Sequence, residues 1–153
     1  MLPINTDRIE KRIELNAPVS RVWRALTDYV EFGQWFCVKL DGPFVPGQIA
    51  RGKLTYPGYE GLKWEVIVQR IEPESLFSFT WHPYAVDSSA DYSHETPTLV
   101  EFRLEKTPGG TLLTLTESGF DKIPAGRRPE AFRMNEGGWS EQMLNIQRHV
   151  AQT

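Results

Sequence analysis

The sequence predicts an α+β fold: a curved antiparallel sheet of about six strands wrapped around one long C-terminal helix, with two short helices after strand one. Three observations carry this expectation. Apolar and polar residues alternate along one run near the start and along several runs in the middle, as strands with one wet face require. A helical period takes over at about Arg127 and holds to about Ala151. That amphipathic segment is the one stretch long enough to cover the apolar face of the sheet. With 153 residues the chain reads as a single domain, 1–153. A chain of this length buries roughly two-thirds of its unfolded surface without help from metals or disulfides.

The elements follow in order. In Arg8 to Leu15, Ile9, Ile13 and Leu15 share one face, while Glu10, Arg12 and Glu14 share the other. Asn16-Ala17-Pro18 ends this strand and starts a helix, since proline suits a first turn. Val19, Val22, Trp23 and Leu26 give that helix a buried stripe. A second helix over Val30 to Phe36 presents Phe32, Trp35 and Phe36. Strands are then expected at Gln48 to Thr55, around Leu62 to Gln69, at Phe77 to Trp81, at Val100 to Glu105 and through Leu113 and Leu115. Gly- and Pro-containing turns separate most of them. In the last helix Phe132, Trp139, Met143, Ile146 and Val150 share a stripe, interrupted by Gly137 and Gly138. Each glycine costs about 1 kcal/mol relative to alanine in a helix interior. A close strand, a kink or room for a ligand would offset that cost.

Composition narrows the function. A net charge of -3 opposes a basic surface for nucleic acid. Cys37 is the single cysteine, so no internal disulfide or all-cysteine cluster forms, and its apolar neighbours mark it as buried and inert. The N-terminus lacks the apolar core of a secretory leader, and no run is long enough to span a membrane. The expected location is the cytoplasm. There is no phosphate loop or dinucleotide fingerprint, and no cofactor is expected.

The order strand, two helices, meander, long helix resembles the START-like (SRPBCC) helix-grip superfamily. Three local runs narrow the resemblance. They are Ile13 to Pro18 leading to Val22-Trp23, Leu26-Thr27 and Trp35; Leu113 to Phe120; and Asn135-Glu136-Gly137-Gly138-Trp139. Together they resemble the activator of heat-shock-protein-90 ATPase homologue-like family, from about Arg8 to about Val150. The resemblance implies a cavity between sheet and helix that holds an apolar ligand, with cyclase-type enzymes as a minority of the superfamily. It also implies a heat-shock chaperone as partner, although the eukaryotic activator carries a further chaperone-binding domain that this sequence lacks.

Candidate site residues fall on these elements. Alternation puts Glu117 on the face of Leu113 and Leu115, toward the long helix. Glu136 shares the stripe of Phe132, Trp139 and Met143, so two carboxylates are expected at one apolar cavity, with raised pKa values suited to acid–base chemistry. The alternative is that Glu117 sits at the cavity mouth, or pairs with a cation such as Lys11, and only fixes geometry. Trp35, Trp64, Trp81, Phe120, Phe132 and Trp139 read either as a pocket lining or as packed core. The run from His82 to Glu95 exceeds hairpin length and reads as a lid over one end of the cavity, with Tyr84 and Tyr92 as contacts. Its two histidines match no metal motif, and no metal site is expected. Arg127-Arg128 reads as a solvated helix start, and His149 as a cation suited to a helix C-terminus. Three functions follow: a binding module for an apolar or aromatic small molecule; an enzyme of the polyketide-cyclase or hydrolase kind using Glu117; and a regulator of a chaperone ATPase. Exposed sheet edges leave a homodimer open.

Overall fold

The computed structural model describes residues 6–87 and 89–151; residues 1–5, 88 and 152–153, and with them Ser88 of the expected lid, lie outside the described residues. Strand β1 (Arg8–Leu15) is followed by helices α1 (Val19–Thr27) and α2 (Tyr29–Phe36). Strands β2 (Val38–Leu40), β3 (Ile49–Leu54), β4 (Lys63–Glu72), β5 (Leu76–Trp81), β6 (Thr98–Thr107) and β7 (Gly110–Ser118) come next. A short 3-10 turn (Phe120–Lys122) leads to the long helix α3 (Arg128–Val150). The strands form one sheet in the order β1-β7-β6-β5-β4-β3-β2, every pair antiparallel.

The sheet has seven strands where about six were expected. The additional one is β2, whose three residues are too few to display alternation. Its geometry is set by a tight exit from α2. Cys37 caps that helix in the left-handed region at φ 69°, and a Cβ on Gly33 would meet the Val38 carbonyl oxygen at 2.3 Å. Glycine at position 33 therefore lets β2 turn back against α2. At the helix start, the Asp28 carboxylate accepts the backbone N–H groups of Val30 and Glu31 at 2.9 and 3.2 Å, a side-chain N-cap.

The concave face holds the core. Val66 and Val68 of β4, Phe77 and Phe79 of β5, Val100 and Phe102 of β6, and Leu113 and Leu115 of β7 are all buried. Facing them are Val22, Ala25 and Leu26 of α1, Phe32 of α2, and Trp139, Met143 and Ile146 of α3. The period-2 and period-3.6 stripes of the sequence thus meet in one apolar layer. The ladder slips between Val68 and Arg70, the only register shift among the described strand pairs. It lies away from β7, so alternation along that strand runs unbroken to Glu117.

An ion cluster fastens the end of α3 to the short helices. Glu31 accepts from Arg21 at 2.8 Å, pairs with Arg24 at 2.6 Å and meets His149 Nε2 at 2.8 Å. His149, expected to serve only the helix dipole, therefore bridges two elements. Burial pushes the Glu31 carboxyl up, but hydrogen bonds from His149 and Arg21 and the charges of both arginines outweigh it and hold the group below its usual range. A depressed folded pKa stabilises above the unfolded value, about 4.3, and that contribution is lost as pH falls through the folded value. Glu31→Gln is accordingly expected to lower stability at neutral pH and to converge with the parent protein in acid. Urea melts at pH 7 and pH 3 check this; an equal gap at both would exclude the ionic origin.

Candidate functional site

A cavity of about 920 Å³ opens between α3, strands β3 to β5 and the β5–β6 loop. Its size falls within the range of small-molecule sites. Four large rings form a continuous part of its wall: Phe36, Trp64, Trp81 and Trp139. Ring centroids lie 5.5 Å apart for Phe36–Trp64, 6.1 Å for Trp64–Trp81 and 5.8 Å for Trp81–Trp139. Half-buried tyrosines 56, 59, 84 and 92 carry the lining outward. Gly137 and Gly138 supply the α3 side of the wall, and a Cβ on either would meet nothing within 4 Å. Of the three explanations for the glycine pair, close approach of a strand is thereby removed, and room beside the helix is what the cavity provides.

Behind this wall lies Glu117, fully buried at 0% exposure. Trp81 Nε1 at 2.7 Å and Thr98 Oγ1 at 2.6 Å donate to one carboxyl oxygen. Asn135 Nδ2 at 2.9 Å and Trp139 Nε1 at 2.8 Å donate to the other. The group thus joins β5, β6 and β7 to α3. Burial pushes its carboxyl above the usual range, and the four hydrogen bonds pull in the opposite direction without cancelling it. No lysine, arginine or histidine among the described residues forms an ion pair with it. Four donors fill the four acceptor positions of a carboxylate. The arrangement fixes two tryptophans in place and leaves no lone pair directed elsewhere.

The sequence-derived candidates separate into groups. Trp64, Trp81, Tyr84 and Trp139 line the cavity, and Glu117 holds two of them from behind. Trp35 packs into the core and donates to the Ala25 carbonyl at 2.8 Å. Phe120 and Phe132 stack edge to face, 5.0 Å apart, beyond the cavity, and Met143 is buried core. Glu136 is not brought to the cavity: its side chain is 46% exposed and pairs with Lys11 at 3.2 Å. That pair also corrects the expectation that Lys11 serves Glu117. The polar α3 residue that reaches Glu117 is Asn135, one position earlier and nearer the centre of the buried stripe. Sequence reading also passed over Phe36, Tyr56 and Tyr59. Tyr56 hydroxyl donates to Glu141 across the cavity mouth, and this bond together with burial raises the phenol to about 12.

The β5–β6 loop forms one wall of the cavity through Tyr84, Tyr92 and their neighbours. Arg127, read as solvated, is what pins it. Its guanidinium donates to Glu95 at 2.5 to 3.2 Å, to the Pro83 and Tyr84 carbonyls at 2.7 and 3.2 Å, and lies 4.8 Å over the Tyr92 ring. His82 also lines the cavity, and burial lowers its imidazole pKa. Among the described residues no three His, Cys, Asp or Glu side chains gather as a metal site, and no helix is long and apolar enough to cross a membrane.

A sheet gripping a C-terminal helix, with an aromatic cavity between them, defines a protein of the START-like helix-grip class. The model of the family described as activator of Hsp90 ATPase homolog 1-like protein matches residues 16–151, and the chain belongs to that family. Solved structures agree. The protein MLL2253 of Mesorhizobium loti superposes with a TM-score of 0.76 at 23% identity, over 95% of this chain and 98% of the other. Ms6760 of Mycobacterium smegmatis gives 0.77 at 18% identity, over 97% and 93%. DynU16, of the dynemicin biosynthetic locus, gives 0.73 at 22% identity, over 95% of this chain but 48% of the other. At these identities the likeness is one of fold. No curated protein matches the sequence.

Proposed function

We propose that this protein binds an apolar, aromatic small molecule in the cavity beside α3, with Trp64, Trp81, Tyr84 and Trp139 as its main contacts. The observation that carries the reading is a cavity of about 920 Å³ walled by tryptophans, two of which are held in place by a buried carboxyl. Rings held this way need not be ordered when a ligand arrives, which lowers the entropic cost of binding. The glycine pair supports the same reading, since it sacrifices helix stability where a side chain would fill the space.

Native mass spectrometry after exposure to apolar fractions of a cell extract tests it. A reproducible adduct is expected, retained in Lys106→Ala and lost in Trp139→Ala. Gly138→Ala is expected to raise stability by about 1 kcal/mol while weakening the adduct. Equal adducts in all variants, or none in the parent protein, would overturn the reading. Acid–base chemistry by Glu117 has its raised pKa in its favour. Its filled acceptor positions and its place behind the wall favour a positioning role.

A further inference from the structure

Six charged side chains border the cavity, and four of them are engaged beside it. Glu65 pairs with Arg51 at 3.4 Å and with Lys63 at 3.8 Å. Asp87 and Asp91 turn back on their own loop, accepting from the Ser89 hydroxyl at 2.6 Å and the Ser93 N–H at 2.9 Å. The other two, Arg133 and Glu141, stand on α3 and are exposed. Among the described residues Arg133 makes no hydrogen bond or ion pair, and Glu141 accepts only from the neutral Tyr56 hydroxyl. Residues four apart on a helix are those whose charges meet. Gly137 is four after Arg133 and four before Glu141, so a residue without a side chain stands where either charge would find its partner. Glu136, three after Arg133, is taken by Lys11 at 3.2 Å. The two free charges are about 12 Å apart along the helix axis and do not pair with each other. Between them the helix is bare, since a Cβ on Gly137 or Gly138 would meet nothing within 4 Å.

We propose that the ligand is dipolar: its aromatic body lies along α3 over Gly137 and Gly138, with an acidic group such as a carboxylate at Arg133 and a basic group such as an amine at Glu141. The inference rests on the reading of this cavity as the ligand site and adds charged ends to the aromatic body. Both protein charges are open to solvent at the mouth, so a ligand in the cavity reaches them without moving the wall. The rings of Tyr56 and Tyr59, 6.3 Å apart, flank the Glu141 end and offer their faces to a cation. Opposite charges at the two ends also fix the direction in which the ligand lies. The reversed orientation sets like charges against each other and is disfavoured.

Three probes on one ring frame read this: 6-(aminomethyl)-2-naphthoic acid, which has both groups; 6-ethyl-2-naphthoic acid, which lacks the base; and 1-[6-(aminomethyl)naphthalen-2-yl]ethanone, which lacks the acid. Equilibrium dialysis against the full chain at pH 7 and low salt, where screening is least, gives their affinities. Arg133→Gln and Glu141→Gln remove one charge each at exposed positions, and glutamine at 141 can still accept from Tyr56. Arg133→Gln is expected to weaken both acid-bearing probes by about threefold, the scale of an exposed ion pair, and not the probe without the acid. Glu141→Gln is expected to weaken both amine-bearing probes to the same extent and not the probe without the base. If all three probes respond alike to each substitution, or if only one end responds, the dipolar inference falls and the cavity reading stands. Failure of all three to bind the parent protein overturns the dipolar inference where native mass spectrometry still finds an adduct, and both readings where it finds none.

Discussion

Glu117→Leu is expected to destabilise the protein by about 3–5 kcal/mol, because it leaves three N–H donors without their acceptor at about 1–3 kcal/mol each, with those of the half-buried Trp81 and Asn135 at the lower end. For a chain of this length the fall in Tm is about 10 °C or more. Leucine resembles glutamate in bulk, so the loss is not one of packing. It arises because Trp81, Asn135 and Trp139 each donate to this side chain and face no other acceptor where they stand. Thermal melts followed by near-ultraviolet circular dichroism measure the effect. A loss below about 1 kcal/mol would mean that those donors find other partners and that the carboxyl does not organise the wall.

Glu117→Gln separates charge from hydrogen bonding. The amide nitrogen can donate to the Thr98 hydroxyl, but it meets the Trp81 N–H as a second donor, and that bond is lost at a cost of about 1–3 kcal/mol. The neutral acid of the parent protein satisfies the same four neighbours, because the Thr98 hydroxyl can accept instead of donating. The folded pKa of Glu117 is raised. Its contribution is therefore fully present below the unfolded value, about 4.3, and is lost as pH rises through the folded value. The gap between the parent protein and Glu117→Gln should be widest in acid and narrow toward neutrality. A gap that widens with pH would mean that the network holds a carboxylate more tightly than the acid.

These effects centre on a residue whose position alternation located, because β7 carries no bulge between Leu113 and Glu117. The helix-grip order was legible for the same reason: the longer strands keep their period over most of their length, β4 as far as its slip after Val68. β2 was not, since three residues leave a period unexpressed. The partner on α3 was misassigned to Glu136 because a helical stripe is broad, and its edge in sequence is not its edge in space. Asn135 sits nearer the centre of that stripe and makes the contact. The role of Arg127 was invisible for a different reason. Its partner Glu95 lies 32 residues away, and nothing in the pattern of either segment links a loop carboxylate to a helix start. The same holds for Tyr56 and Glu141, 85 residues apart.

Arg127→Ala is therefore expected to release the β5–β6 loop while the sheet and α3 stay folded. The side chain of Glu95 is 7% exposed and that of Arg127 21%, so alanine strands a largely buried carboxylate as well as the carbonyls of Pro83 and Tyr84. The local cost is about 3 kcal/mol. It should appear as faster amide exchange and earlier proteolysis between positions 82 and 97, with little change in the far-ultraviolet spectrum. Arg127→Lys restores the charge but not the fork that spans one carboxylate and two carbonyls, and should recover less than half of the protection. The hydrogen bonds from Arg127, followed by its charge, hold the Glu95 carboxyl below its usual range against the opposing effect of burial. That contribution is present above the ordinary carboxylate value and lost as pH falls through the depressed one, the reverse of Glu117. Loop protection should thus weaken in acid in the parent protein and show no such acid step in Arg127→Ala. An acid step of equal size in both would assign the anchoring of this cavity wall to contacts other than the Arg127–Glu95 pair.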